Sequence, residues 1–110
     1  MLLKFYKHGN KLMKTFDIHI KENSWIAKIA AKKMKADSMA IVIGSTIHLY
    51  NTSKENFISN EKWLKHEMCH IHQYRSYGFI GFIFKYLTES IRNGYENNRF
   101  EIEARLAENV

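Results

Sequence analysis

The sequence predicts an α+β domain, and three observations carry that prediction. Helical periodicity dominates from Asn60 onward, β-branched residues gather in two short runs before it, and the 110 residues, 45% hydrophobic and 25% charged, have the composition of a chain with a core of its own. Domains cluster near ~100–150 residues, so a single domain is expected over residues 1–110. Phe16 to Ile20 (FDIHI) alternates apolar and polar side chains and supplies a candidate strand. From about Glu22 to Lys35, Trp25, Ile26, Ile29, Ala30 and Lys33 recur at helical spacing, with Asn23 or Ser24 as the cap. MAIVIGSTIHLYN then reads as a hairpin, or two successive strands, about Gly44-Ser45. Helices are expected at roughly 60–76, at 79–93 and in a short stretch opening near Asn98. Proline is absent, no low-complexity tract or internal repeat is visible, and no linker divides the chain.

Composition excludes several classes. The longest nearly uninterrupted apolar stretch, Tyr77 to Leu87, contains Lys85 and falls well short of the ~20 residues of a membrane-spanning helix. Its run YGFIGFIFKYL is expected as the core of a buried helix in preference to a membrane anchor. Lys4 and Lys7 interrupt what would have to be the apolar core of a secretory signal, so the expected location is cytoplasmic. Cys69 is the only cysteine, which excludes an intramolecular disulfide framework and fits a reducing compartment. The net charge of +6 is uneven: residues 1–36 hold nine lysines against Asp17 and Glu22. Lysines spread in this way, with no arginine, read as a solvated face, and nucleic acid is not an expected partner.

The chemistry-bearing residues lie in WLKHEMCHIHQY, where His66, Glu67 and His70 form H-E-x-x-H. On a helix His66 and His70 sit about 40° apart and one turn removed, so both imidazoles reach one metal ion. Glu67 lies about 60° from His70, beside the ligands and directed at a water on the metal, which is the arrangement metal-assisted hydrolysis requires. Leu64, Met68 and Ile71 form an apolar stripe on a different face for packing. Gln73 shares the side of His66 and is a candidate hydrogen-bond partner behind the ligands. Cys69 reads as a packing thiol.

A catalytic zinc needs a third protein ligand and an open fourth position. His72 points roughly 120° or more away from both ligands. His8, His19 and His48 lie upstream and read as lone surface or edge-strand residues. Glu101 and Glu103 in NRFEIEARLAEN fall on another helix, capped by Asn98 and about 200° apart, so only one can face the metal. Helix geometry does not choose between them: Glu103 lies nearer Phe100 and Ala107, and Glu101 shares its side with Ala104, Arg105 and Glu108. Tyr77, Tyr86 and Tyr95 are candidate donors to a developing oxyanion.

HEMCHIHQY followed by an aromatic-rich helix and NRFEIEAR resembles the gluzincins, zinc metallopeptidases in which the two histidines of H-E-x-x-H and a glutamate on a later helix bind zinc. It looks most like the minigluzincins, short single-domain proteins similar to pared-down catalytic domains of membrane-embedded metallopeptidases. The resemblance covers about residues 39–108, including AIVIGSTIHLYN, and residues 1–38 add little to it. It implies a small zincin-like fold, a short sheet with an active-site helix and a glutamate helix near 98–108, and zinc-dependent hydrolysis of peptide bonds. In related metallopeptidases the ligand glutamate is followed three residues later by alanine and four later by aspartate. That makes Glu101 the implied ligand, with Glu103 the alternative, Ala104 the small residue of close helix approach, and Arg105 a departure that removes the acceptor expected to orient a ligand histidine.

Zinc is thus the expected cofactor, Glu67 the expected catalytic base, and an extended peptide or protein the expected substrate, paired with an edge strand for which Thr46 to Tyr50 is the candidate. Self-association is a further expectation. The resemblance also implies latency, through a carboxyl-terminal segment that obstructs the cleft as in a zymogen. The alternatives are a zinc-binding domain with little or no peptidase activity, and a basic module for an anionic partner.

Overall fold

In the computed structural model, which describes residues 2–8 and 11–110 and side chains from Ile18 onward, the backbone of Leu2–His8 (β1) pairs antiparallel with Lys11–Lys21 (β2). The strand expected at Phe16–Ile20 is the later part of β2. His8 and the lysines before Ile18 lie outside the described side chains. The Ser24 hydroxyl accepts from the Ala27 amide and starts the helix Trp25–Met34 (α1), whose Ala27 and Ala31 are buried. Of the two expected caps, Ser24 serves.

Met39–Ile43 (β3) and Thr46–Tyr50 (β4) form the expected antiparallel hairpin, with burial alternating along both strands as a sheet covered on one face requires. Gly44 turns it at φ +65, and the Phe79 ring lies 3.4 Å from where a Cβ would stand. The chain returns through α1 so that β4 pairs in parallel with β2, His19 opposite Thr46 and Lys21 opposite His48. Strand order is β1-β2-β4-β3. This corrects the edge-strand expectation for Thr46–Tyr50: β4 is paired on both sides, and β1 and β3 are the two edges. His48 is likewise not a lone residue, since its Nδ1 lies 2.8 Å from the Ser24 hydroxyl.

A six-residue helix, Lys54–Ser59 (α2), has no counterpart among the expected elements; it buries Phe57 edge-on against Trp63 at 5.2 Å. The helix Glu61–Tyr77 (α3) starts where the Asn60 side chain accepts from the Trp63 amide. It lays Met68 and Ile71 on Ile18, Ile20, Ala40, Val42, Ile47 and Leu49 of the sheet, and together with Phe57 these side chains are the main core. Burying such side chains contributes roughly 1.5–3 kcal/mol each. Phe79–Asn93 (α4) and Arg99–Ala107 (α5) follow.

The run expected to be a buried helix core is mostly exposed. Along α4 only Phe82 is buried, whereas Ile80, Phe84, Leu87 and Ile91 are 75, 72, 55 and 85% exposed. The helix packs through Phe82 against Tyr74 of α3 and Phe100 of α5 and through Tyr86 edge-on to His70 of α3, and one packed face suffices to hold it. Among the described residues no helix is long and apolar enough to cross a membrane.

Candidate metal centre

Two helices bring the site together. The second and third turns of α3 carry His66, Glu67 and His70, and the first turn of α5 carries Glu101. α5 begins at Asn98, fully buried, whose side-chain oxygen accepts from the Phe100 amide while its nitrogen donates to the Tyr86 carbonyl and the Ser90 hydroxyl. That residue caps α5 and fastens it to α4. Cys69 packs with Ala104 and Ala107 in a second small core, and the two alanines let α5 approach α3 closely.

In this arrangement His66 Nε2 lies 3.2 Å from Glu101 Oε1 and His70 Nε2 lies 3.2 Å from Glu101 Oε2. One potential ligand atom from each of the three residues falls within 4.8 Å of the others. Two imidazole nitrogens and one carboxylate oxygen are a donor set suited to zinc. The far sides of both rings are also held. His66 Nδ1 donates to Glu108 Oε2 at 2.8 Å, and His70 Nδ1 donates to Gln73 Oε1 at 2.8 Å. A carboxylate only accepts, so Nδ1 of His66 carries its proton there and Nε2 is the nitrogen turned inward. Gln73 is oriented in turn, because its nitrogen donates to the Phe100 carbonyl at 3.1 Å and to Glu103 Oε1 at 2.6 Å.

The two acidic candidates on α5 therefore separate. Glu101 faces both histidines, and Glu103 faces Gln73 and lies 3.7 Å from the Cys69 thiol. His72 is outside the group. Arg105, at the position where the resemblance expects an aspartate, turns to Glu96, donating to its main-chain carbonyl and lying 4.0 Å from its carboxylate. The acceptor at His66 Nδ1 is instead Glu108, which shares the side of Glu101 and for which the sequence suggested no role. Of the three tyrosines, Tyr86 donates to Glu101 Oε2 at 2.6 Å and Tyr95 lies 3.3 Å from Glu101 Oε1. Tyr77 packs edge-on against Phe100 and does not line the cleft.

Electrostatics follow from burial and from Glu101. Burial alone would lower the His66 imidazole, but the Glu101 hydrogen bond, the Glu67 charge and the Glu108 hydrogen bond outweigh it and push its pKa up to about 9. His70 is raised against its burial, chiefly by the bond to Glu101. Burial would raise Glu101 too, yet the bonds from His66 and His70 hold its carboxyl well below the usual range. Burial raises Glu67 to about 7, the His70 and His66 charges and a hydrogen bond from Trp63 offsetting only part. Burial and Glu103 push the Cys69 thiol up to about 12, so it stays protonated at neutral pH. Burial and the Glu101 charge raise both tyrosine hydroxyls, which remain donors.

A cleft of about 380 Å³ opens onto these groups. His66, Glu67, His70, Tyr86, Tyr95 and Glu101 line its polar end, and the edge strand β3 with Met34, Ile83 and Leu87 supplies apolar walls. Compared with protein-family models, with curated proteins and with solved structures, the chain matches none.

Proposed function

We propose that the chain is a zinc-dependent peptide hydrolase. The observation that carries the reading is the convergence of His66 Nε2, His70 Nε2 and Glu101 beside a buried Glu67 at the end of an open cleft. These three residues would hold the zinc ion, which when bound supplies Lewis-acid polarisation of the scissile carbonyl and an acidified water. Glu67, buried beside both histidines and lining the cleft, would accept the water proton and return it to the leaving amine. Tyr86, tied closely to Glu101, steadies the ligand carboxylate. Tyr95, at the longer distance and facing the cleft, is placed to donate to the developing oxyanion. An extended substrate pairs with the free edge of β3, and the apolar walls receive a bulky apolar side chain next to the scissile bond.

The test is cleavage of a peptide library by the zinc-loaded protein beside Glu67→Gln. The substitution is expected to retain zinc and to remove cleavage, since Glu67 acts on the water and is not a ligand. Zinc binding without cleavage by the native protein would leave a zinc-binding domain, and loss of zinc from a folded Glu67→Gln would reassign the residue.

A further inference from the structure

We infer that Glu108 is the positioning residue for His66, holding the ring so that Nε2 is presented to the metal; this rests on the zinc reading given above. Glu101 and Glu108 are seven residues apart, two turns of helix, and so project from one side of α5 and its end. Their carboxylates meet opposite nitrogens of one imidazole, Glu101 at Nε2 and Glu108 at Nδ1. An imidazole without a partner on Nδ1 is free to turn its ring over or to carry its proton on Nε2, and in either case the ligand lone pair is lost from the site. A carboxylate on Nδ1 excludes both, because it accepts only from a protonated Nδ1 and only in one ring orientation.

The surroundings support this assignment. The Glu108 side chain is 31% exposed and that of His66 15%, so the bond is sheltered from competing water on most of its surface. Arg105, one turn back on the same side of the helix, is committed to Glu96 and does not draw the Glu108 carboxylate away from the ring. His70 has the corresponding bond from a different source, the Gln73 amide, so each ring has its own partner at Nδ1 and loss of Glu108 acts first at His66, although the rings meet edge-on at 5.1 Å and share Glu101.

Partners of this kind typically change metal affinity by ~10- to 100-fold. The experiment measures zinc affinity by competition with a chromogenic chelator in native protein, Glu108→Ala, Glu108→Gln and Asn109→Ala, together with the Nδ1–H proton resonance of His66 in the zinc-loaded forms. Glu108→Ala is expected to weaken zinc by roughly ten- to hundred-fold and to lose the resonance. Glu108→Gln, which keeps an acceptor oxygen of the same reach, is expected to retain the resonance and fall between the two. Asn109→Ala, at the same helix end with an exposed side chain, is expected to match the native protein. Affinity within twofold of native in Glu108→Ala would overturn the assignment, as would an equal loss in Asn109→Ala, which would trace the effect to the helix end. A native protein that takes up no stoichiometric zinc would remove the zinc reading itself and the inference with it.

Discussion

His66 Nε2 and His70 Nε2 each face an oxygen of Glu101 at 3.2 Å, and such contacts hold only with positive charge between them, supplied by protons or by a metal ion. In the metal-free protein protons serve, which is why His66 rises to about 9. A histidine raised on folding contributes stability that is fully present below its ordinary value near 6.5 and is lost as pH rises through its folded value. Glu67, raised from its ordinary 4.5 to about 7, acts in the same direction over a lower range. Metal-free protein is therefore expected to unfold at progressively lower temperature as pH is raised from 6.5 through 9, and zinc, which displaces those protons, should flatten the profile. Thermal unfolding followed in chelator and in zinc checks this; a chelator profile that rises or stays level over that range would speak against the assigned proton positions. H-E-x-x-H made His66, Glu67 and His70 legible because one helical turn contains their whole geometry. Glu108 and the Gln73–Glu103 pairing were not, since they depend on how α3 and α5 cross.

At the scale of elements, Asn98 shows how one side chain sets another's place. It starts α5 three residues before Glu101 and ties that start to the Tyr86 carbonyl and Ser90 of α4. Asn98→Ala removes a cap and leaves buried groups unpaired, a loss of about 1–3 kcal/mol. In a domain of this size the expected fall in melting temperature is roughly 4–8 °C per kcal/mol, accompanied by weaker zinc binding as Glu101 loses its anchorage. Urea unfolding and a zinc titration on the same sample check both parts, and unaltered stability would mean that α5 is held by its packing alone. The long helices, the Asn98 cap and the β3–β4 hairpin were readable from periodicity and capping residues. α2 was not, because six residues with one buried side chain, Phe57, are too short for a period to show. α4 misled for the opposite reason: the count of apolar residues in YGFIGFIFKYL says nothing about how many of its faces find a neighbour.

Across the molecule, the site depends on contacts between residues far apart in sequence. β2 reaches β4 in parallel only after α1 has crossed, and this places β4 inside the sheet and leaves β3 free beside the cleft. No local pattern distinguishes the two strands, both of which alternate buried and half-buried residues. The closure of α5 on α3 likewise decides which carboxylate meets the histidines, a choice that helix geometry alone left open and that the resemblance directed to Glu101. The central claim is that His66, His70 and Glu101 form one zinc site. Its most direct test is the zinc content per chain, by elemental analysis after dialysis, of native protein, Glu101→Ala and Glu103→Ala. One zinc per chain is expected in native protein and in Glu103→Ala, and loss of most of it in Glu101→Ala with the fold retained. Native protein without zinc, or zinc lost from Glu103→Ala and kept by Glu101→Ala, would contradict the claim.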